Sequence, residues 1–463
     1  MKILFFSLIS CLTCSVLAAN NGIDSGITFS SDVPLLQSEQ LAPQYWQQKL
    51  AQGDQVILSP ADIAARNAAS FKRQAEMQPL VEINQALSAK QLTARINQVS
   101  SITSAQRYYA DGSAVDAKAW QHYRQLLALD SVKPNNPVQF ALVVKRTMLL
   151  AFPTHDRVFK QPDDVDLNRF QETGLFPAEP VAVLHQSRDK AWYLVQSFNY
   201  TGWVQASDIA IGQRQQVLDY AEQEPFLVVT GAKVHTAYTP SLPAISELQL
   251  DMGVRIPLLS AKDVGHNVNG QNPAASHIVQ LPIRQADGRL DFTPALIARS
   301  QDVHQGYLAF TANNIISQAF KFLGERYGWG HDYNGRDCTG FVAEVYSSFG
   351  YKMPRNSSQQ GKGEYGVNVR FNPLNDIEAK KQQLSQAQVG DLLYLPGHVA
   401  VYLGTSDGQD FIIHDVHGLA YDKTAAGHYQ GILNGVFVTP LLPLKVSHSQ
   451  TYLDVIYSIK SLR

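Results

Sequence analysis

Cys338 stands in the run Asp337-Cys338-Thr339-Gly340, at the head of a segment whose apolar residues Phe341, Val342, Val345, Tyr346 and Phe349 recur at helical spacing as far as Gly350. A cysteine in the first turn of a helix meets unpaired backbone N–H groups and the positive end of the helix dipole, both of which favour a thiolate. Asp337 opposes that by simple charge, so a nearby base has to do more. Two histidines are placed for it. His398 follows Pro396-Gly397 and begins the run His398-Val-Ala-Val-Tyr-Leu; His414 closes the run from Phe411, on the same face as Ile412. A helix-borne thiol, a histidine to take its proton and a third polar group to fix the imidazole tautomer are the requirements of nucleophilic acyl transfer by cysteine. His417, three residues past His414, is the competing candidate for the third role. A metal site made from His331, His414 and His417 lacks a compact ligand spacing with a further acid or cysteine, so no metal and no cofactor is expected.

The chain holds three cysteines, Cys11, Cys14 and Cys338. Residues 1–18 carry one Lys, an apolar run from Ile3 and small residues at Val16 and Ala18, the pattern of a cleaved signal peptide. Export to the periplasm or cell envelope is therefore expected, with a lipid anchor on Cys11 in Leu8-Ile9-Ser10-Cys11 as the alternative processing and no transmembrane span in the mature chain. Cleavage leaves Cys338 as a lone thiol in an oxidising compartment, which is a liability unless it is deeply buried or chemically used.

The elements that must position these residues are spread over 463 residues, long enough for several domains. Charged residues make up 17% and the net charge is −2, which leaves no basic field for nucleic acid and excludes a highly charged disordered chain. Residues 19–137 read as helices with irregular connections: Ser59-Pro60 caps one, and Trp120, Tyr123, Leu126 and Leu127 mark another. From Phe140 the period becomes two. Short runs at 138–222, with Trp192 and Trp203 as core, and at 223–303 read as two small antiparallel barrels in tandem. Residues 304–463 place helices over Thr311–Leu323 and from Cys338, then strands at Asp391, His398 and Phe411, an α+β order.

Four linked blocks resemble the NlpC/P60 cell-wall cysteine peptidases in order and spacing: Tyr327-Gly-Trp-Gly, Asp337-Cys-Thr-Gly, Met353-Pro-Arg-Asn-Ser-Ser-Gln-Gln, and Gly390-Asp-Leu-Leu-Tyr-Leu-Pro-Gly-His-Val-Ala-Val-Tyr-Leu-Gly. The upstream text is similar to the subgroup with a helical stabilising segment and two bacterial SH3-like domains. The resemblance implies a papain-like peptidase domain with Cys338 as nucleophile, His398 as base and His414 as the orienting residue. It also implies hydrolysis of the γ-D-glutamyl–diamino acid bond in peptidoglycan stem peptides with a free N-terminal L-Ala. Tyr327, Asp337 and Thr339 would hold that amine beside Trp329, and Arg355 would pair with the glutamate carboxylate. Two positions depart from the family pattern: His331 stands where a glycine is usual, and Thr339 where a serine is. His331 is expected to narrow the groove or add a charge. The competing readings are a non-catalytic peptidoglycan-binding protein and a papain-like amidase or acyltransferase.

Overall fold

The helices of the N-terminal segment start where short polar side chains can take up orphan backbone donors. Ser59 caps Pro60–Arg73 in a reciprocal pair with Asp62, Ser88 does the same with Gln91 for Ala89–Val99, and Asp116 caps Ala117–Leu126. In this computed structural model of the chain, residues 29–372, 374–423 and 427–463 are described. The leader and Cys11 lie outside them. No helix among the described residues is long and apolar enough to cross a membrane.

The capped segment divides between two cores. Leu92, Ile96 and Tyr123 pack with Phe140, Trp192, Trp203, Leu227 and Leu250, whereas Trp46 and Ile63 pack with Phe341, Val345 and Val401. Its burial therefore ties the strand-rich middle of the chain to the last 160 residues.

Seven strands between Gln139 and Gly212 form one antiparallel sheet in the order Gln171–Leu175, Thr147–Leu150, Thr201–Gln205, Trp192–Gln196, Pro180–Gln186, Gln139–Val143, Ile209–Gly212. The strand Gln171–Leu175 carries no sequence signal of period two. Its Gln-Glu-Thr-Gly-Leu reads as loop, and it is a strand because it pairs with Thr147–Leu150 and buries Gln171 and Thr173 against polar partners elsewhere.

The next region differs from a single small barrel. Its strands make three separate sheets: Phe226–Val229 between Arg255–Pro257 and Val303–Gln305, the pair Lys233–His235 and Gln249–Asp251, and the hairpin Ser276–Arg284 with Leu290–Ala298. Pro257, Pro282 and Pro294 lie inside these strands and remove donors that a continuous ladder would need.

In the last domain six antiparallel strands run in the order Val367–Arg370, Ser458–Ser461, Leu392–Leu395, His398–Ser406, Gln409–Lys423, Gly427–Pro440. Alternation divides them cleanly. Val399, Val401, Leu403 and Ile413 face the helix Cys338–Ser347, while Ala400, Tyr402 and Ile412 face Leu384, Leu453 and Ile456. The helix expected over Thr311–Leu323 is Ala312–Phe320, capped by Thr311, and is followed by a turn that ends at Gly324 with φ +79°.

Candidate active site

Cys338 begins the helix Cys338–Ser347, with Asp337 at the N-cap accepting the Gly340 N–H at 2.8 Å. The thiol is buried, and the Val399 N–H points at its sulfur, so the helix start abuts the beginning of the strand His398–Ser406. Burial and the neighbouring Asp337 carboxylate push the thiol well above its usual range. His398 Nε2 lies 2.9 Å from His414 Nδ1, and His414 Nε2 lies 3.0 Å from Thr439 Oγ1. Burial lowers His398 to about 4 and holds His414 well below the ordinary histidine range, so both rings rest neutral. His417 is not part of this chain of contacts. Its side chain is 43% exposed and faces Asp166 at 3.6 Å.

The second cluster is the one the motif acid organises. Asp337 accepts from Thr339 Oγ1 at 2.9 Å, the Gly330 N–H at 3.1 Å and Arg355 Nη2 at 2.8 Å, in addition to Gly340. The Arg355 guanidinium, itself buried, also donates to Thr173 Oγ1 at 2.5 Å and Thr339 Oγ1 at 2.6 Å. Asp337 and Arg355 therefore satisfy each other, and the pairing holds the carboxyl well below the usual carboxylate range despite its burial. The family resemblance implies that Arg355 presents its fork to a glutamate carboxylate; in the fold its donors are engaged by protein oxygens.

His331 likewise differs from the expectation of a groove-narrowing charge. Its ring is buried, with Nε2 at 3.1 Å from Glu344 Oε1 and Nδ1 accepting the Gly174 N–H at 3.2 Å. A backbone N–H can only donate, so Nδ1 is bare and the proton sits on Nε2. Burial, with Arg355 adding to it, keeps the imidazole neutral. The ring lies close against the motif glycine. A Cβ on Gly340 would stand 2.7 Å from His331 Nε2, and Gly340 is the residue that lets the helix start pass so close. His331, His414 and His417 occupy three separate surroundings.

Beneath His331 lies a network invisible in the linear text. Arg336, fully buried, donates to Glu344 Oε2 at 2.6 Å, to Asp251 Oδ2 at 3.0 Å, to the Ala232 carbonyl at 3.1 Å and to Glu325. Arg146 bonds the same Asp251 at 3.2 Å and the carbonyls of His331 and Gly335 at 3.1 Å each. One buried cation thus joins the second strand region to the loop that precedes Cys338, and a second arginine joins the first.

Tyr327 and Trp329 are half-buried on the loop in front of the thiol, and Tyr327 lies within electrostatic reach of Cys338, Asp337 and Asp415. Asp415, next to His414, is buried with neither carboxylate oxygen hydrogen-bonded, and burial pushes it well above the usual carboxylate range. The first strand region supplies Glu172, bonded to Tyr200 Oη, and both lie within electrostatic reach of Arg355. The residues missed in the sequence, Glu172, Thr173, Tyr200 and Asp415, sit in segments without a motif. A cleft of about 670 Å³ lined by Trp46, Leu50, Tyr402 and Arg463 includes none of these residues.

Residues 324–437 match the NlpC/P60 family, and residues 157–205 match the SH3 domain of the SH3b1 type. A γ-D-glutamyl-L-lysine dipeptidyl-peptidase from Bacillus cereus is 28% identical over 219 residues, 44% of this chain and 54% of that one. A protein of the same name from Bacillus subtilis is 34% identical over 103 residues, 20% of this chain and 30% of that one. The chain thus spans about half or less of the length of these curated relatives. A solved NlpC/P60 endopeptidase from Photobacterium damselae subsp. piscicida superposes with a TM-score of 0.71 over 90% of this chain and 96% of its own, at 15% identity, a likeness of fold.

Proposed function

From a chain that carries an NlpC/P60 domain, we propose an exported cysteine endopeptidase of the cell envelope that hydrolyses the γ-D-glutamyl–diamino acid bond of peptidoglycan stem peptides bearing a free N-terminal L-Ala. The observation that carries this reading is the contact of the Cys338 helix start with the strand whose first residue, His398, bonds His414.

Because Nε2 of His398 is taken by His414, Nδ1 is the ring atom that receives the thiol proton. His398 then donates from Nε2 to His414 Nδ1, and His414 donates from Nε2 to Thr439, which fixes both tautomers. Both rings are neutral and the thiol is protonated at rest, so proton transfer accompanies attack of sulfur on the γ-carbonyl carbon. The unpaired N–H groups of the first helical turn face the developing oxyanion. His398 returns the proton to the leaving amine, which departs and leaves a thioester. Water, deprotonated by the same ring, then releases the γ-carboxylate and the thiol.

Tyr327, Thr339 and Glu172 offer oxygens to the L-Ala ammonium, with Tyr200 orienting Glu172. Arg355 acts through Asp337 and Thr339, whose oxygens it holds in place.

The test is product analysis by mass spectrometry after the protein meets L-Ala-γ-D-Glu-diaminopimelate peptides, with the amine free or acetylated. Release of the diamino acid from the free-amine peptide, lost by at least about a thousandfold in Cys338→Ala, is the expected result. Unchanged cleavage in that variant overturns the reading.

A further inference from the structure

With Arg355 engaged by Asp337, Thr339 and Thr173, a substrate carboxylate in this groove needs another cation. Arg169, two residues before the strand Gln171–Leu175, supplies one. Its guanidinium carbon lies 5.1 Å from the centre of the Trp329 ring, and it is within electrostatic reach of Tyr327. Among the described residues it has neither an ion pair nor a side-chain hydrogen bond, and its Nε is buried with no acceptor. Asp164 lies near enough to favour its charge and Arg107 near enough to oppose it, yet neither touches it. A half-buried guanidinium stacked on an indole and lacking an acceptor is a planar donor pair held open for a planar anion.

The position selects which anion. Arg169 stands over Trp329, on the loop that also carries Tyr327, the residue assigned above to the L-Ala ammonium; on that assignment it belongs to the amine side of Cys338. A γ-linked glutamate leaves its α-carboxylate free on that side of the scissile bond, between the N-terminal residue and the carbonyl that sulfur attacks. Resting on the peptidase reading above, we propose that Arg169 is a specificity-determining residue contributed by the first strand region, and that it binds the free α-carboxylate of the γ-glutamyl residue. The chain would then discriminate against peptides in which that carboxylate is amidated.

The experiment measures binding by calorimetry, independent of turnover. Cys338→Ala protein is titrated with the dipeptide L-Ala-γ-D-Glu and with its α-amide, and the titrations are repeated in Cys338→Ala/Arg169→Gln and Cys338→Ala/Arg169→Lys. The expected result is about tenfold to a hundredfold tighter binding of the carboxylate form, with the preference abolished by Arg169→Gln and partly kept by Arg169→Lys. The α-amide should bind all three proteins alike, which also shows that the variants are folded. Equal affinity of Cys338→Ala for the two dipeptides, or binding of neither, overturns the proposal. Failure of the unsubstituted protein to cleave any peptide would sink the peptidase reading while leaving this preference measurable.

Discussion

The two strand regions between the N-terminal helices and the peptidase domain read alike in the sequence and serve the site differently. The first is one seven-stranded sheet whose outer strand delivers Thr173 to Arg355 and the Gly174 N–H to His331, with Arg169 and Glu172 alongside. The second is three small sheets and reaches the loop from behind, through Asp251 and the Ala232 carbonyl on Arg336 and through Gln249 on Asn334. One region lines the groove and the other braces the loop that forms it. The difference teaches that groove chemistry and loop stability rest on separate partners, and separate measurements distinguish them.

The comparison breaks most visibly at Arg336. Replacing it by Met leaves Asp251, Glu344 and Glu325 without their shared cation in a buried site, and a loss of about 3–5 kcal/mol in unfolding free energy is expected from denaturant titration. Activity of the molecules that remain folded should change far less, since Arg336 touches none of the reacting groups. A stable variant that has lost turnover would assign Arg336 to the groove instead.

A smaller and opposite pattern is expected for Glu172→Gln in the first region. The carboxylate is removed while the bond to Tyr200 can be kept, so kcat/KM on free-amine peptides should fall about tenfold, mainly through KM, with the melting temperature nearly unchanged. An equal fall on amine-blocked peptides would make Glu172 a bracing residue like Asp251.

A further effect is on the pH dependence of stability. His331, His398 and His414 are held neutral in the fold, whereas the unfolded chain binds protons on them below about pH 6.5. More protons on the unfolded state means stability rises with pH, so it is full above that value and is lost as pH falls. The slope approaches about 1.4 kcal/mol per pH unit for each such histidine. His331→Gln should shallow the decline of melting temperature between pH 7 and 5. An unchanged slope would place the whole effect on His398 and His414.

The candidate trio was legible because each member carries a strong local signal: an N-cap acid before Cys338, Pro-Gly before His398, and an apolar run into His414, although the strand Gln409–Lys423 continues past that residue. Capping of Pro60–Arg73 by Ser59 was legible for the same reason, since a cap is decided by residues three or four apart. The strand Gln171–Leu175 was not, because its pairing partner and the acceptors for its buried polar groups come from distant parts of the chain. Nor was the second region's division into three sheets, in which prolines interrupt ladders whose register only packing selects.

What the sequence by itself determined is therefore the candidate nucleophile, its candidate base and the order of the elements, all properties of short-range spacing and hydrophobic period. The tertiary structure alone decided which arginine is free. Arg355 and Arg169 are equally charged in the text, and only the fold buries one against Asp337 and stacks the other on Trp329, since the partners of a charge are set by three-dimensional proximity.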